Sequence, residues 1–373
     1  MGTKLHSYIR KAPLRYRFKR VSFLSLTFPA CLFYSGLAHS NTIFEPNITF
    51  LSSSLAIEQN ENQGDSILLS WLDESQYTVS DTINEYSTSV DHFIGKKEDE
   101  KPLMNRSYLR IRFRPRYTHR EYFDFDSNVY LKLDLPHTKK NWKLILETDP
   151  DDYDSLENKQ RDISESSDSG ISGAIGGVSL QDKQLGQWKA DYGIGLKIKL
   201  PLDPFAKANL RRIDTLSENW TSRINQEVFY YHSKGPGLLT SLGFYYAVNK
   251  EHSKIITSST SAQFLDSDNN WELVQQVEYY HRVNENNSIE YSAGASTDTG
   301  DDEESTNYWL STAWKQRLYK DWLYLRISPD INFQSEFDYK ANPGIMMELE
   351  LFFSINGDID RLHKYIPKPE TIE

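Results

Sequence analysis

The sequence predicts an all-β fold, a closed antiparallel membrane-spanning β-barrel of about twelve strands within a range of ten to fourteen, preceded by an amphipathic helical segment. Three observations point there: an export-like N-terminus, a long region in which side chains alternate with period two, and alternating runs of ten residues or more. A soluble strand usually has about five or six residues, whereas a tilted strand needs about nine to eleven to cross a bilayer. A mean hydropathy of −0.63 fits this reading, because only every second barrel residue must be apolar.

Residues 1–20 carry seven Lys and Arg and no acidic residue, and the apolar run VSFLSLTFPACLFYSGLAHS follows. This is the order of a cleaved secretory signal, with small residues Ala38 and Ser40 at the exit, so cleavage is expected after Ser40. A transmembrane anchor fits less well, since the run is short and broken by Pro29. Acylation at Cys31 also fits poorly, because the apolar run continues past it. Loss of residues 1–40 takes the formal net charge from −11 to −18. An acidic chain has no basic footprint for nucleic acid. Cys31 is the only cysteine, so neither an intramolecular disulfide nor a thiolate metal site is expected.

Residues 41–65 are polar and aperiodic and read as a flexible leader. In 66–106, Leu68, Leu72, Val79, Ile83, Tyr86, Val90 and Phe93 recur at steps of three, four and seven, one apolar stripe of a helix. Asp65 reads as its cap, Gly95 as its stop and Ser80–Asp81 as a division into two. The stripe needs a partner, and the expectation is docking at the periplasmic mouth or in the lumen.

From residue 107 to 353 the period is two. Leu109, Ile111 and Phe113 alternate with Arg110, Arg112 and Arg114; Val129, Leu131 and Leu133 alternate with Tyr130, Lys132 and Asp134; Ile345, Met347, Leu349, Leu351 and Phe353 alternate with Met346, Glu348, Glu350 and Phe352. Thirteen runs stand out. Both barrel termini on one side require an even number, so the weakest, AKANLRRI and SKIITSSTSAQF, are the suspects and twelve is the expectation. Trp142, Trp188, Trp220, Trp271, Trp309 and Trp322 lie near strand starts, where aromatic girdles belong. Short turns such as PHTKKN, PLDP and YKD are assigned to the periplasmic side. The long polar segment Asp149–Gly186 and the acidic TDTGDDEESTN are assigned to the outside.

The signal segment, the alternation over 107–353 and the aromatic-ended strand IMMELELFF together resemble Gram-negative outer-membrane β-barrel proteins as a class. The resemblance implies the outer membrane and its lipid as the setting, insertion by the barrel-insertion machinery, and Phe353 as an insertion signal. The chain departs from that pattern in its tail, 354–373, read as a periplasmic extension.

Closure sets the first strand beside the last, so Arg110, Arg112 and Arg114 should face Glu348 and Glu350, a seam of opposite charges. Further inward candidates are Lys132, Lys143, Lys189, Lys197, Lys199, Lys207 and Arg211 on one wall, with Glu272, Glu278 and Glu290 on another. Such walls create a transverse field that orients polar solutes. The function expected is therefore a passive channel, monomeric, for small polar or anionic solutes. A closed structural or assembly barrel is the alternative, and an embedded hydrolase the third reading. No nucleophile elbow, zinc-helix motif or histidine cluster stands in the sequence, so no catalytic residue, metal or cofactor is expected. DPDDYD lacks the glycine and terminal glutamate of a calcium loop.

Overall fold

A computed structural model describes residues 63–94, 106–135, 142–147, 155–162, 175–197, 202–267, 269–300, 305–354 and 360–369. The signal segment, most of the 41–65 leader, Gly95 and Lys199 lie outside the described residues. Helix α1 spans Gln63–Ile94 and α2 Leu156–Arg161. The strands are β1 Tyr108–Thr118, β2 Tyr122–Asp134, β3 Trp142–Glu147, β4 Ile175–Leu185, β5 Trp188–Lys197, β6 Asp203–Thr215 and β7 Trp220–Tyr231. They continue as β8 Gly235–Ala247, β9 Lys254–Leu265, β10 Asn270–Arg282, β11 Asn287–Asp298, β12 Ser305–Tyr319, β13 Leu323–Gln334 and β14 Asn342–Phe353. Each strand pairs antiparallel with its sequence neighbour, and β1 pairs with β14, so the barrel closes on itself. Among the described residues every strand has a hydrogen-bonded neighbour on each side, the arrangement a lipid environment demands.

The strand count is fourteen rather than twelve. Both suspect runs are strands: AKANLRRI lies within β6, and SKIITSSTSAQF, apart from its first serine, within β9. The missing strand is β4, inside the segment assigned to a long loop. Gly176, Gly177, Lys183 and Gln184 erase the apolar alternation there, and Gly177 lies so close to β5 that a Cβ would sit 2.7 Å from the Ile194 carbonyl. The PLDP turn joins β5 to β6 and so lies at the same rim as the long segment, not with PHTKKN and YKD.

The outward face is apolar, with Phe113, Tyr192, Ile194, Leu242, Leu273, Val277, Leu310, Met347 and Leu349 all exposed. Trp220 with Tyr246 at the rim where β1 begins and β14 ends, and Trp271 with Phe264 at the far rim, have ring centroids 4.8 and 5.3 Å apart. Aromatic pairs at both rims match the girdle pattern expected of a membrane-spanning barrel. Trp309 departs from the girdle expectation: it is buried and turned inward.

Helix α1 is continuous; Ser80–Asp81 does not divide it, and Asp65 lies within it rather than capping it. It docks neither in the mouth nor in the lumen. Val79 and Ile83 pack against Leu109, Ile111, Leu131, Leu133, Leu144, Leu351 and Phe353, the outward residues of β1, β2, β3 and β14. Burying Ile83 there contributes about 1.5–3 kcal/mol. The Ser87 hydroxyl donates to the Asp134 carbonyl (2.6 Å) and accepts from Ser107 (2.8 Å), so this buried polar group is satisfied. Asp73 accepts from Lys320 (2.6 Å) and Tyr319 (2.9 Å) of the β12–β13 turn. Tyr86 and Phe93 of the predicted stripe stay exposed; the side chains of Leu68 and Leu72 lie outside the described residues. Because α1 covers the closure seam from outside, deleting residues 41–100 is expected to leave single-channel conductance unchanged and to lower the temperature at which the barrel unfolds on gels. A rise in conductance would place the helix in the permeation path instead.

Candidate functional site: a divided lumen

The inward face is polar, and two segments from opposite rims enter it. The first is α2, carried by the connection between β3 and β4. Its Ser155 cap accepts the Asn158 amide (3.3 Å), and Asp162 ends it in the left-handed region at φ 54°. Leu156 is fully buried against Val274 and Trp309, an apolar anchor inside an otherwise polar barrel. Its amide donates to Glu272. Lys159 donates to Gln263 (2.6 Å) and lies over the Phe229 ring (5.5 Å). Arg161 donates to Asp330 (2.6 Å) and Asn332 (2.7 Å) and lies over Trp309 (5.1 Å). Both rings lie flat on the wall because their neighbours are glycines: a Cβ on Gly237 or Gly294 would come within 2.2 Å of Phe229 or Trp309. The aromatic floor therefore positions both cations of α2.

The arginine file of β1 is completed here. Arg112 and Arg114 are buried, at 9% and 5% exposure. Strand pairing sets Arg112 opposite Glu350, as the sequence implied. The partners are mostly different. Arg112 donates to Asp162 (2.8 Å), with Glu348 at 3.9 Å. Arg114 donates to Asp126 of β2 (2.7 Å) and lies 3.5 Å from Asp162. Arg110 lies over the Tyr130 ring at 5.4 Å. Asp162 also meets Arg326 of β13 (3.5 Å), so one carboxylate gathers three guanidiniums. Periodicity could not reveal it, because it belongs to no strand; the local signal was the helix pattern of Ser155 with Glu157 and Arg161 four apart.

The second segment is the tail, residues 360–369, which turns back into the barrel as a strap. Arg361 donates twice to Glu350, both at 2.8 Å, and Lys315 stands 3.4 Å from the same carboxylate. Lys364 donates to Glu278 (2.6 Å) and Glu290 (2.7 Å). Asp360 accepts from Arg282 (2.5 Å), and the Leu362 carbonyl accepts from the Tyr280 hydroxyl. Burial opposes the Lys364 charge, but the two carboxylates outweigh it and hold the ammonium above its ordinary pKa. Beyond Lys364, Lys368 and Pro369 border a cavity with Lys189 and Arg211, so the strap spans the mouth from β14 toward β5 and β6.

Between α2 and the strap lies a chamber of about 400 Å³; beyond α2 lies a vestibule of about 570 Å³. Arg116 and Arg161 border both. The chamber lining holds eight Lys and Arg against six Asp and Glu. Lys132, Lys143, Lys189, Lys197, Lys207 and Arg211 share the inward faces of β2, β3, β5 and β6, while Glu272, Glu278, Glu290, Glu348 and Glu350 occupy those of β10, β11 and β14. The structure thus sets basic and acidic candidates on different walls, but brings together in the chamber only Arg110, Arg112, Glu278, Glu290, Glu348 and Glu350. Phe353 packs under α1.

As a class, the chain resembles the outer-membrane β-barrels of Gram-negative bacteria. No family model and no curated protein matches it. Among similar solved structures, OprD of Pseudomonas aeruginosa is 11% identical over 70% of this chain and 99% of its own, with a TM-score of 0.41. OprB of Pseudomonas putida is 9% identical, over 67% and 92% of the two chains (TM-score 0.42). A loop-deletion form of OmpT, an outer membrane protein of Vibrio cholerae, is 6% identical, over 67% and 99% (TM-score 0.39).

Proposed function

We propose that the chain is an outer-membrane channel of porin type, non-enzymatic, for small polar or anionic solutes. The observation that carries this reading is the pair of polar chambers on either side of α2 inside a closed barrel, sharing Arg116 and Arg161 at their border. An interior built only for stability would be filled by side chains. Here the space is held open by charged groups, whose field acts on a solute at short range. The excess of Lys and Arg in the chamber lining favours anions while the strap is seated. By the barrel rule, the rim that carries the strap is periplasmic and the vestibule faces outward.

A closed structural barrel is the second reading, because α2 and the strap are pinned by ion pairs on several walls. Reconstitution of the purified full chain in planar bilayers separates the two. Discrete conductance steps are expected; their absence in every salt tested would favour the closed barrel. An embedded hydrolase finds little support: His363 borders the chamber together with several serines, yet its imidazole packs edge-on against the Tyr365 ring, centroids 4.4 Å apart.

A further inference from the structure

Four glutamates on β10, β11 and β14 face the chamber, and the strap supplies cations to three of them. Lys364 places one ammonium between Glu278 and Glu290, and Arg361 lays one guanidinium flat on Glu350 in bidentate geometry. Fork-on-carboxylate pairing of this kind specifies a guanidinium by shape as well as charge. A second feature is a set of acceptors in the chamber wall without a hydrogen bond; among the described residues Glu348 has only Arg112 near it, at 3.9 Å. Glu348 Oε2, Gln276 Oε1 and Ser328 Oγ line the chamber, are all but inaccessible, and make no hydrogen bond. Buried polar groups in native proteins are nearly always satisfied, so unused acceptors in the chamber wall mark a place for a donor-rich solute.

We propose that Glu278, Glu290 and Glu350 form a binding site for basic solutes, those bearing an ammonium and a guanidinium, and that the strap is its built-in occupant. The inference rests on the channel reading but departs from its anionic solutes: the lining favours anions only while the strap is seated, and displacing the strap exposes a site for cations. With the strap seated, the chamber lining is eight basic groups to six acidic; without Arg361 and Lys364 it is six to six, with Glu278 and Glu290 uncovered and Glu350 left to Lys315. A basic solute entering through the vestibule competes with the strap, takes its carboxylates and releases the mouth. The strap is tethered to β14 through a short connection, so it behaves as a ligand at an effective concentration on the order of millimolar, and a free competitor must reach the same range.

Cys31 is the only native cysteine, so Cys31→Ser with Tyr365→Cys gives the full chain one spin-label site on the exposed face of the strap. Agmatine, which carries both cationic groups, should mobilise the label at about 1–10 mM. Sodium chloride at matched ionic strength and L-glutamate should not. In Lys364→Gln, agmatine binding by calorimetry should tighten about tenfold, because the competing occupant is weakened. In Glu278→Gln with Glu290→Gln, the label should be mobile from the start and the binding heat lost. Equal mobilisation by sodium chloride, or no agmatine heat with either wild type or Lys364→Gln, would overturn the site. Conductance without agmatine sensitivity would overturn it while leaving the channel standing. Agmatine binding without conductance in any variant would support the site and overturn the channel.

Discussion

Replacing Glu348 and Glu350 together by lysine is expected to destabilise barrel closure by roughly 3–5 kcal/mol, the range for breaking a buried ion pair from one side. Both carboxylates are nearly inaccessible, at 3% and 2% exposure. Glu350 answers Arg361 and Lys315, and Glu348 lies 3.9 Å from Arg112. Reversal would leave Arg112, Lys315 and Arg361 facing two ammonium groups in a confined space where water screens poorly. Gel migration of the folded form against temperature reads the effect. Lysines tolerated without a shift would show these charges to be solvated. A simple seam of opposite charges would let the compensating changes Arg112→Glu and Arg114→Glu restore stability. They should fail, because a carboxylate at 114 would meet Asp126 and one at 112 would meet Asp162.

Arg161→Glu is expected to detach α2 from the wall. The guanidinium satisfies Asp330 and Asn332, bonds Glu157 at 2.5 Å one turn back, and covers the Trp309 face. A carboxylate in its place would oppose Asp330 and Glu157; like charges about 4 Å apart repel by about 4 kcal/mol at an effective dielectric of 20. The strand ladder does not depend on α2, so the barrel should stay folded while the chambers merge. Proteolysis within 155–162 should accelerate and conductance should rise. Unchanged protection of that segment would mean that Leu156 in its apolar pocket suffices to hold it.

The sequence disclosed what repeats. Period-two alternation marked thirteen runs, of which one was discounted to reach an even twelve, and showed the inward set of the arginine file, while barrel closure gave the pairing of β1 with β14. It hid β4, where glycines permit close strand approach and remove the pattern. It also hid everything that enters the lumen. Asp162 and Lys364 lie on segments without periodicity, and their roles arise from tertiary placement, which no spacing encodes. The α1 stripe was visible, but its partner was not: the helix uses Val79 and Ile83 together with buried Ser80, Ser87 and Asp91, a face half polar because it also bridges strand ends. Trp309 illustrates the same limit, since a girdle tryptophan and one lying under an arginine look alike in sequence.

Single-channel recording of the full chain beside Arg161→Glu, under one salt condition, tests most directly the claim that this barrel is a channel narrowed by its own α2. Discrete steps in the wild type, with larger steps in the variant, are the predicted result. Two proteins that insert, as shown by heat-modifiable migration, and yet pass no current would contradict it.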